Sequence, residues 1–222
     1  SITSTVQANT KAGFSIVEFT GIDSATTATV GHGLGKAPTF IIHKSVNTSA
    51  WHSVRGVPGM PVSYVRDLNP NGSPTDVSGN GGALVAPTSS VFNINNTTGI
   101  GGGGYTYVAY CWAPIEGYSK FGSYTGNGES DGPFIYTGFR PQIVLFMGYA
   151  YGIENFIFDN KRNTSNPITT YVRWGRSSAE GTHTHCDFLA NGFKIRNTGG
   201  DYNGSTGLFM YMAWGDVPFK YN

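Results

Sequence analysis

Four groups of residues in this chain have types and spacings that could do chemistry. His183-Thr184-His185-Cys186 sets two imidazoles two residues apart, on one face if the run is a strand, as a metal site can use. No second cluster of ligands completes such a site, and a solvated strand face explains the same letters, so neither metal nor cofactor is expected. Asn127-Gly128-Glu129-Ser130-Asp131-Gly132 looks like the first half of a calcium loop, with oxygen ligands at alternate positions and then glycine. The bidentate acid of that loop would fall on Gly138, and Asn-Gly and Asp-Gly are turn dipeptides, so a turn is the preferred reading. Among the 13 carboxylates, Glu154, Asp159, Glu180 and Asp187 could flank a sugar as glycosidase carboxyls do, but nothing in their spacing selects a pair. With no nucleophile elbow, P-loop or zincin motif either, no catalytic residue is assigned and the chain is not expected to be an enzyme. The fourth group is aromatic. Tyr149, Tyr151, Trp174 and Tyr202 stand among Gly, Asn and Arg, with Arg176 close by. Rings flanked by such groups suit sugar stacking with hydroxyl recognition, or a protein–protein hot spot. These five residues form the candidate ligand site, against the plainer reading that they cover loop ends.

The elements that must position these residues are written twice. Phe19-Thr20-Gly21 recurs as Tyr124-Thr125-Gly126, at an offset of 105. Pro38 with Phe40-Ile41-Ile42 recurs as Pro141 with Ile143-Val144-Leu145, at an offset of 103. Phe92 recurs as Phe193 and Trp112 as Trp214, at offsets of 101 and 102. Four matches in order indicate a tandem duplication. Shared residues are scaffold, so a specific site belongs in what the copies do not share. Trp112 and Trp214 are read as core, as is Trp51, which aligns roughly with Phe156.

Helical periodicity is nearly absent, because Gly or Pro interrupts every stretch long enough to show it. Short apolar or alternating runs predict strands at 14–19, 39–44, 51–54, 91–94 and 105–112 in the first copy. The second copy predicts them at 120–124, 134–136, 142–147, 155–158, 187–189, 193–196 and 208–214. Residues 58–87 read as a long surface loop with a short strand or two, and a loop of that length is a functional candidate. Residues 95–104, with four consecutive glycines, read as a mobile tip. The fold expected is all-β: two tandem sandwich units of ~100 residues each, of jelly-roll or immunoglobulin size, at 1–116 and 117–222. The linker at 113–118 is short, so the copies should touch at a fixed angle.

Charged residues make up only 12% of the chain and net charge is +1, so no field exists to gather nucleic acid or anionic lipid. Nucleic-acid binding is not expected on that ground. No window approaches the ~18–20 apolar residues of a membrane helix, so membrane insertion is not expected. Cys111 and Cys186 read as two inert thiols rather than a disulfide. Ser1 in place of a start Met, and a polar opening, suggest a piece of something longer.

Several runs carry a family resemblance. Ala12-Gly13-Phe14-Ser15-Ile16-Val17, Val30-Gly31-His32-Gly33-Leu34-Gly35, Tyr107-Val108-Ala109-Tyr110-Cys111-Trp112-Ala113, the run 117–128 and Asp131-Gly132-Pro133-Phe134-Ile135-Tyr136 resemble a domain near the C-termini of large tailed-phage proteins. Some of those proteins carry SPRY or concanavalin-like modules upstream. The match spans essentially the whole chain, from Ser1-Ile2-Thr3-Ser4 to residues 214–219. The resemblance implies a virion appendage, in a tail fibre, tail-associated or capsid-decorating position on the particle surface. It implies host cell-surface glycan or receptor and other virion proteins as partners, and it allows a homo-oligomer. It brings no catalytic motif. A structural stalk or capsid decoration is the alternative, and a polysaccharide depolymerase a lesser one. The chain departs from the pattern at 45–50 and 148–152, where relatives often carry charge, and these segments are expected to vary with target.

Overall fold

The computed structural model describes residues 1–23, 26–48, 52–68, 72–149 and 154–216. The chain divides into two compact units, Ser1–Pro114 and Ile115–Asn222. Unit 1 carries β1 (Ser4–Asn9), β2 (Phe14–Thr20), β3 (Ala28–Gly31), β4 (Phe40–Ser45), β5 (Ser53–Arg55), β6 (Tyr64–Asp67), β7 (Thr75–Asp76), β8 (Val91–Ile94) and β9 (Thr106–Trp112). Its main sheet runs β1-β2-β9-β4-β5-β6-β7, and β3 pairs with β8 in a separate ribbon. Unit 2 carries β10 (Ser119–Thr125), β11 (Phe134–Tyr136), β12 (Pro141–Gly148), β13 (Asn155–Asp159), β14 (Ile168–Arg173), β15 (Gly181–Leu189), β16 (Gly192–Ile195), the single helical turn α1 (Gly200–Asn203) and β17 (Leu208–Gly215). Its strands form one sheet in the order β10-β17-β12-β13-β14-β15-β16-β11. The protein is all-β.

Local patterning explains the layers. β2 alternates, with Ser15, Val17 and Phe19 inward and Glu18 and Thr20 outward. β9 does the same with Tyr107, Ala109 and Cys111 inward. In unit 2, β12 and β17 are near-continuous apolar runs and are buried on both faces, as such runs usually are. Across the sandwich of unit 1, Phe92 on β8 meets Phe19 on β2 edge-on at 5.9 Å. In unit 2, Phe193 on β16 meets Phe146 on β12 and Tyr211 on β17, each at 5.3 Å. Face-to-face layers of this kind bury their inner rows between them.

The two units share register as well as order. Phe14 and Phe40 both pair with Trp112, and Ser119 and Ile143 both pair with Trp214. His43 pairs with Ala109 and Ser53; Phe146 pairs with Tyr211 and Phe156. Ser53 is therefore the counterpart of Phe156 and Arg55 that of Phe158. Trp51, expected opposite Phe156, is two residues out of that register and lies outside the described residues. The repeated Thr-Gly has a common cause. A side chain on Gly21 would collide with the Gly101 carbonyl oxygen, and one on Gly126 with that of Gly204. Backbone passes against backbone at the same place in each unit.

Several expectations are corrected. Residues 95–104 are packed rather than mobile: Thr97 O accepts the N–H groups of Ile100, Gly101 and Gly102. The Tyr107 hydroxyl donates to Thr98 O at 2.5 Å and Gly102 O at 2.8 Å, and Ile100 is fully buried. Within 58–87, Met60, Val65, Val77 and Leu84 are buried, so most of that loop is anchored in the fold. Asn95, buried, ties it down by donating to Val77 O and Gly82 O. Trp112 and Trp214 are half-buried, because a period of two turns Cys111 and Ala213 into the interior and their neighbours to the other face. Trp112 stacks there on Phe40 at 4.8 Å. β1, β3 and β14 are strands that local patterning did not flag, since their residues are polar or mixed. Both cysteines are free and buried.

Candidate functional site

At one end of unit 2, hydrogen bonding holds three segments side by side. Tyr149 N donates to Leu208 O at the start of β17, and Trp174 N donates to Asn155 O at the start of β13. Glu154 sits between two arginines, with Oε1 2.6 Å from Arg176 Nη2 and Oε2 2.9 Å from Arg173 Nε. The Arg173 contact is an ion pair lying out of hydrogen-bond line. Arg173 also donates to the Tyr171 hydroxyl at 3.0 Å. Asp201 faces the same network, and burial raises its pKa against the lowering hydrogen bond from the Glu154 backbone. Trp174 and Tyr149 are half-buried and Arg176 is exposed, so three of the five sequence candidates gather at this rim. Tyr151 lies outside the described residues.

Tyr202 does not belong to that rim surface. It is 6% exposed, because α1 rolls its ring inward against Phe156 at 5.4 Å and His185 at 4.3 Å. Its carbonyl accepts the Tyr124 hydroxyl at 2.6 Å. His185 is equally internal, 4.2 Å from Phe158, while His183 is exposed. The space among Phe146, Phe158, His185, Cys186, Ile195 and Tyr202 leaves no room for water. Dry burial pushes the His185 imidazole down to about 3, helped by His183 and Arg173. Among the described residues no group of three His, Cys, Asp or Glu could hold a metal ion.

The remaining candidates are engaged structurally. Asn127 Oδ1 accepts Glu129 N at 3.0 Å and its amide donates to Asp131 O, which closes the run 127–132 into a turn. Asp131 meets Lys194 at 3.1 Å and Arg196 at 3.0 Å. Asp159 and Glu180 contact the same guanidinium, that of Arg162, rather than facing each other across a gap. Asp187 pairs with Arg196 at 2.6 Å.

Register points to a place in unit 1 that local motifs missed. Where unit 2 packs Tyr202 on Phe156, unit 1 has Gly99 against Ser53, so close that a side chain on Gly99 would collide with Ser53 Oγ. A cleft of about 330 Å³ opens there, lined by Ser53, Val65, Asp67, Thr75, Val77, Asn80 and residues 97–99. Ser53 Oγ donates to Asp67 Oδ1 at 2.7 Å. The signal lay in cross-strand pairing, which a comparison of letters alone does not contain.

A family model matches residues 1–218. The chain belongs to DUF7483, a family of domains of unknown function. No curated protein and no solved structure matches it. The DUF7483 domain is thus two sandwich units with a charged aromatic rim on one and a polar cleft in the other. Among its described residues no helix is long and apolar enough to cross a membrane.

Proposed function

We propose that this protein is a non-enzymatic, surface-exposed part of a tailed-phage virion appendage that binds a host cell-surface glycan or another receptor. The observation that supports this reading best is the rim of unit 2. Trp174 and Tyr149, both half-buried, lie at the same end of the unit as the Glu154–Arg173–Arg176 network, which brings aromatic residues together with groups that can donate to and accept from hydroxyls. Rigid sheets carry these residues at loop ends, the usual arrangement of a recognition surface. Weak single contacts suffice when a particle carries many copies, since avidity multiplies modest affinities. The whole chain is tested on a glycan array and in a host-cell pull-down. Binding that falls at least about tenfold on Trp174→Ala supports the reading. Absence of host binding, together with firm binding to another virion protein, rejects it.

One observation favours self-association as a second reading. β11 pairs only with β16 among the described residues, and its Phe134 and Tyr136 are 46% and 59% exposed. Exposed rings on an edge strand suit a stalk or decoration contact between copies. A concentration-dependent rise in mass during size-exclusion chromatography, removed by Tyr136→Ser, distinguishes this reading from a monomeric tip.

A further inference from the structure

We infer that the unit 1 cleft is a binding site for one neutral, polyhydroxylated ring, such as a hexose unit of a surface polysaccharide. The inference rests on the glycan reading above and names a place for it in the unit that the rim does not occupy. Space is the first observation. The cleft holds about 330 Å³, within the usual range for a small-molecule site, at the position where the sister unit is filled by Phe156 and Tyr202. Closing it would have needed no new architecture, because the same backbone register carries the filling rings in unit 2.

The lining is the second observation. Val65 and Val77, both buried, give an apolar floor. Around it stand Asp67, Ser53, Thr75 and Asn80, residues that carry a carboxylate, hydroxyls and an amide. Asp67 uses one oxygen to accept from Ser53, which orients the carboxylate and leaves acceptor capacity for a ligand O–H. Vicinal hydroxyls that both donate and accept match this set.

The same lining argues against other ligands. Among the described residues no Lys or Arg lines the cleft, so a phosphate, sulfate or uronate group would meet the Asp67 carboxylate with no lining cation to pair with. Asp67 is also the only carboxylate there among the described residues, whereas sugar hydrolysis in its usual form needs two across the scissile bond. The site as built would hold a sugar without cutting it.

The test titrates the whole chain with methyl glycosides of neutral hexoses, an anionic sugar (glucuronate) and a simple cation (methylammonium), read by calorimetry. Neutral hexose binding that weakens about tenfold or more on Asp67→Asn supports the inference, since a charge-assisted hydrogen bond carries roughly that much. Ser53→Phe, which imports the unit 2 filling, should abolish binding. If that variant misfolds, Asp67→Asn with a native melting profile decides alone. Asp76→Asn, on the alternate face of β7 and bonded to Ser78 N, should bind like the parent. Binding of methylammonium or glucuronate in preference to hexoses, or hexose binding indifferent to both cleft variants, overturns the inference. Host-glycan binding that survives both variants would sink the cleft and leave the rim standing. Hexose binding in the cleft without any host binding would do the reverse.

Discussion

The interiors of the two units follow one register and are filled with different chemistry. Unit 2 places Phe146, Phe156 and Phe158 on β12 and β13, and their rings contact one another and Tyr171, His185 and Tyr202. Unit 1 places His43, Ser53 and Arg55 at the same three positions. Aromatic area is the main stabilising term of a small sandwich, so unit 2 reads as the frame in its packed form. Unit 1 has given up part of that term. Arg55 is 2% exposed, its Nε and Nη2 have no hydrogen-bond partner among the described residues, and its guanidinium lies 5.7 Å from the Phe92 ring centroid. Burial lowers its pKa to about 10, which still leaves it charged at neutral pH. A duplicated scaffold can tolerate such losses in one copy when the emptied space has a use, and the cleft beside Ser53 is that space.

Substitutions that erase or exaggerate the difference test it. The largest effect is expected from Phe158→Ala, which removes a fully buried ring from unit 2 and should cost about 3–5 kcal/mol in denaturant unfolding. A loss below 1 kcal/mol would mean that unit 2 is not the tightly packed copy. Acid gives the next effect. His185 is held at about 3 in the fold but takes up a proton near 6.5 when unfolded. Its folded pKa is depressed, so its contribution is complete above pH 6.5 and is lost as pH falls from there toward 3. At pH 5 that loss amounts to about 2 kcal/mol, and His185→Phe should flatten the stability–pH curve by that amount. His43, fully buried in unit 1 and also lowered mainly by desolvation, should act in the same direction. An unchanged curve in His185→Phe would contradict the dry interior of unit 2.

Arg55→Met should have the opposite sign. Exchanging an unpaired buried cation for an apolar chain of similar length is expected to raise stability by about 1–2 kcal/mol. A fall instead would show that Arg55 has a partner within the core. The smallest effect on stability is expected at the rim, where Arg176→Ala breaks one half-exposed ion pair with Glu154 and should shift stability by less than about 1 kcal/mol. The same substitution should weaken the proposed receptor binding, and parent-level binding would remove Arg176 from the proposed recognition surface.

Much of the frame was legible in the letters. Alternation marks β2, the apolar runs mark β4, β12 and β17, and the repeated Thr-Gly marks a backbone crossing found in both units. β1 was illegible because it is an edge strand whose residues are nearly all exposed and mostly polar, with Val6 and Ala8 its only apolar side chains. Tyr202 was misplaced because a ring among Gly, Asp and Asn looks exposed until one helical turn rolls it inward. The cleft was hidden for a different reason. It depends on Ser53 standing where Phe156 stands, and that equivalence is fixed by pairing through β4 and β12, while the nearest similar letter, Trp51, suggested a register two residues away. Local chemistry names candidate residues, but only cross-strand register shows which copy is filled and which is open.

The difference between an open unit 1 and a filled unit 2 is tested most directly by amide shift mapping of the isotopically labelled chain titrated with a neutral methyl hexoside. The account predicts saturable shifts centred on Ser53, Asp67, Thr75 and residues 97–99, with Phe156, Tyr171 and Tyr202 undisturbed. Shifts confined to unit 2, or a spectrum unmoved at any concentration of sugar, would contradict it.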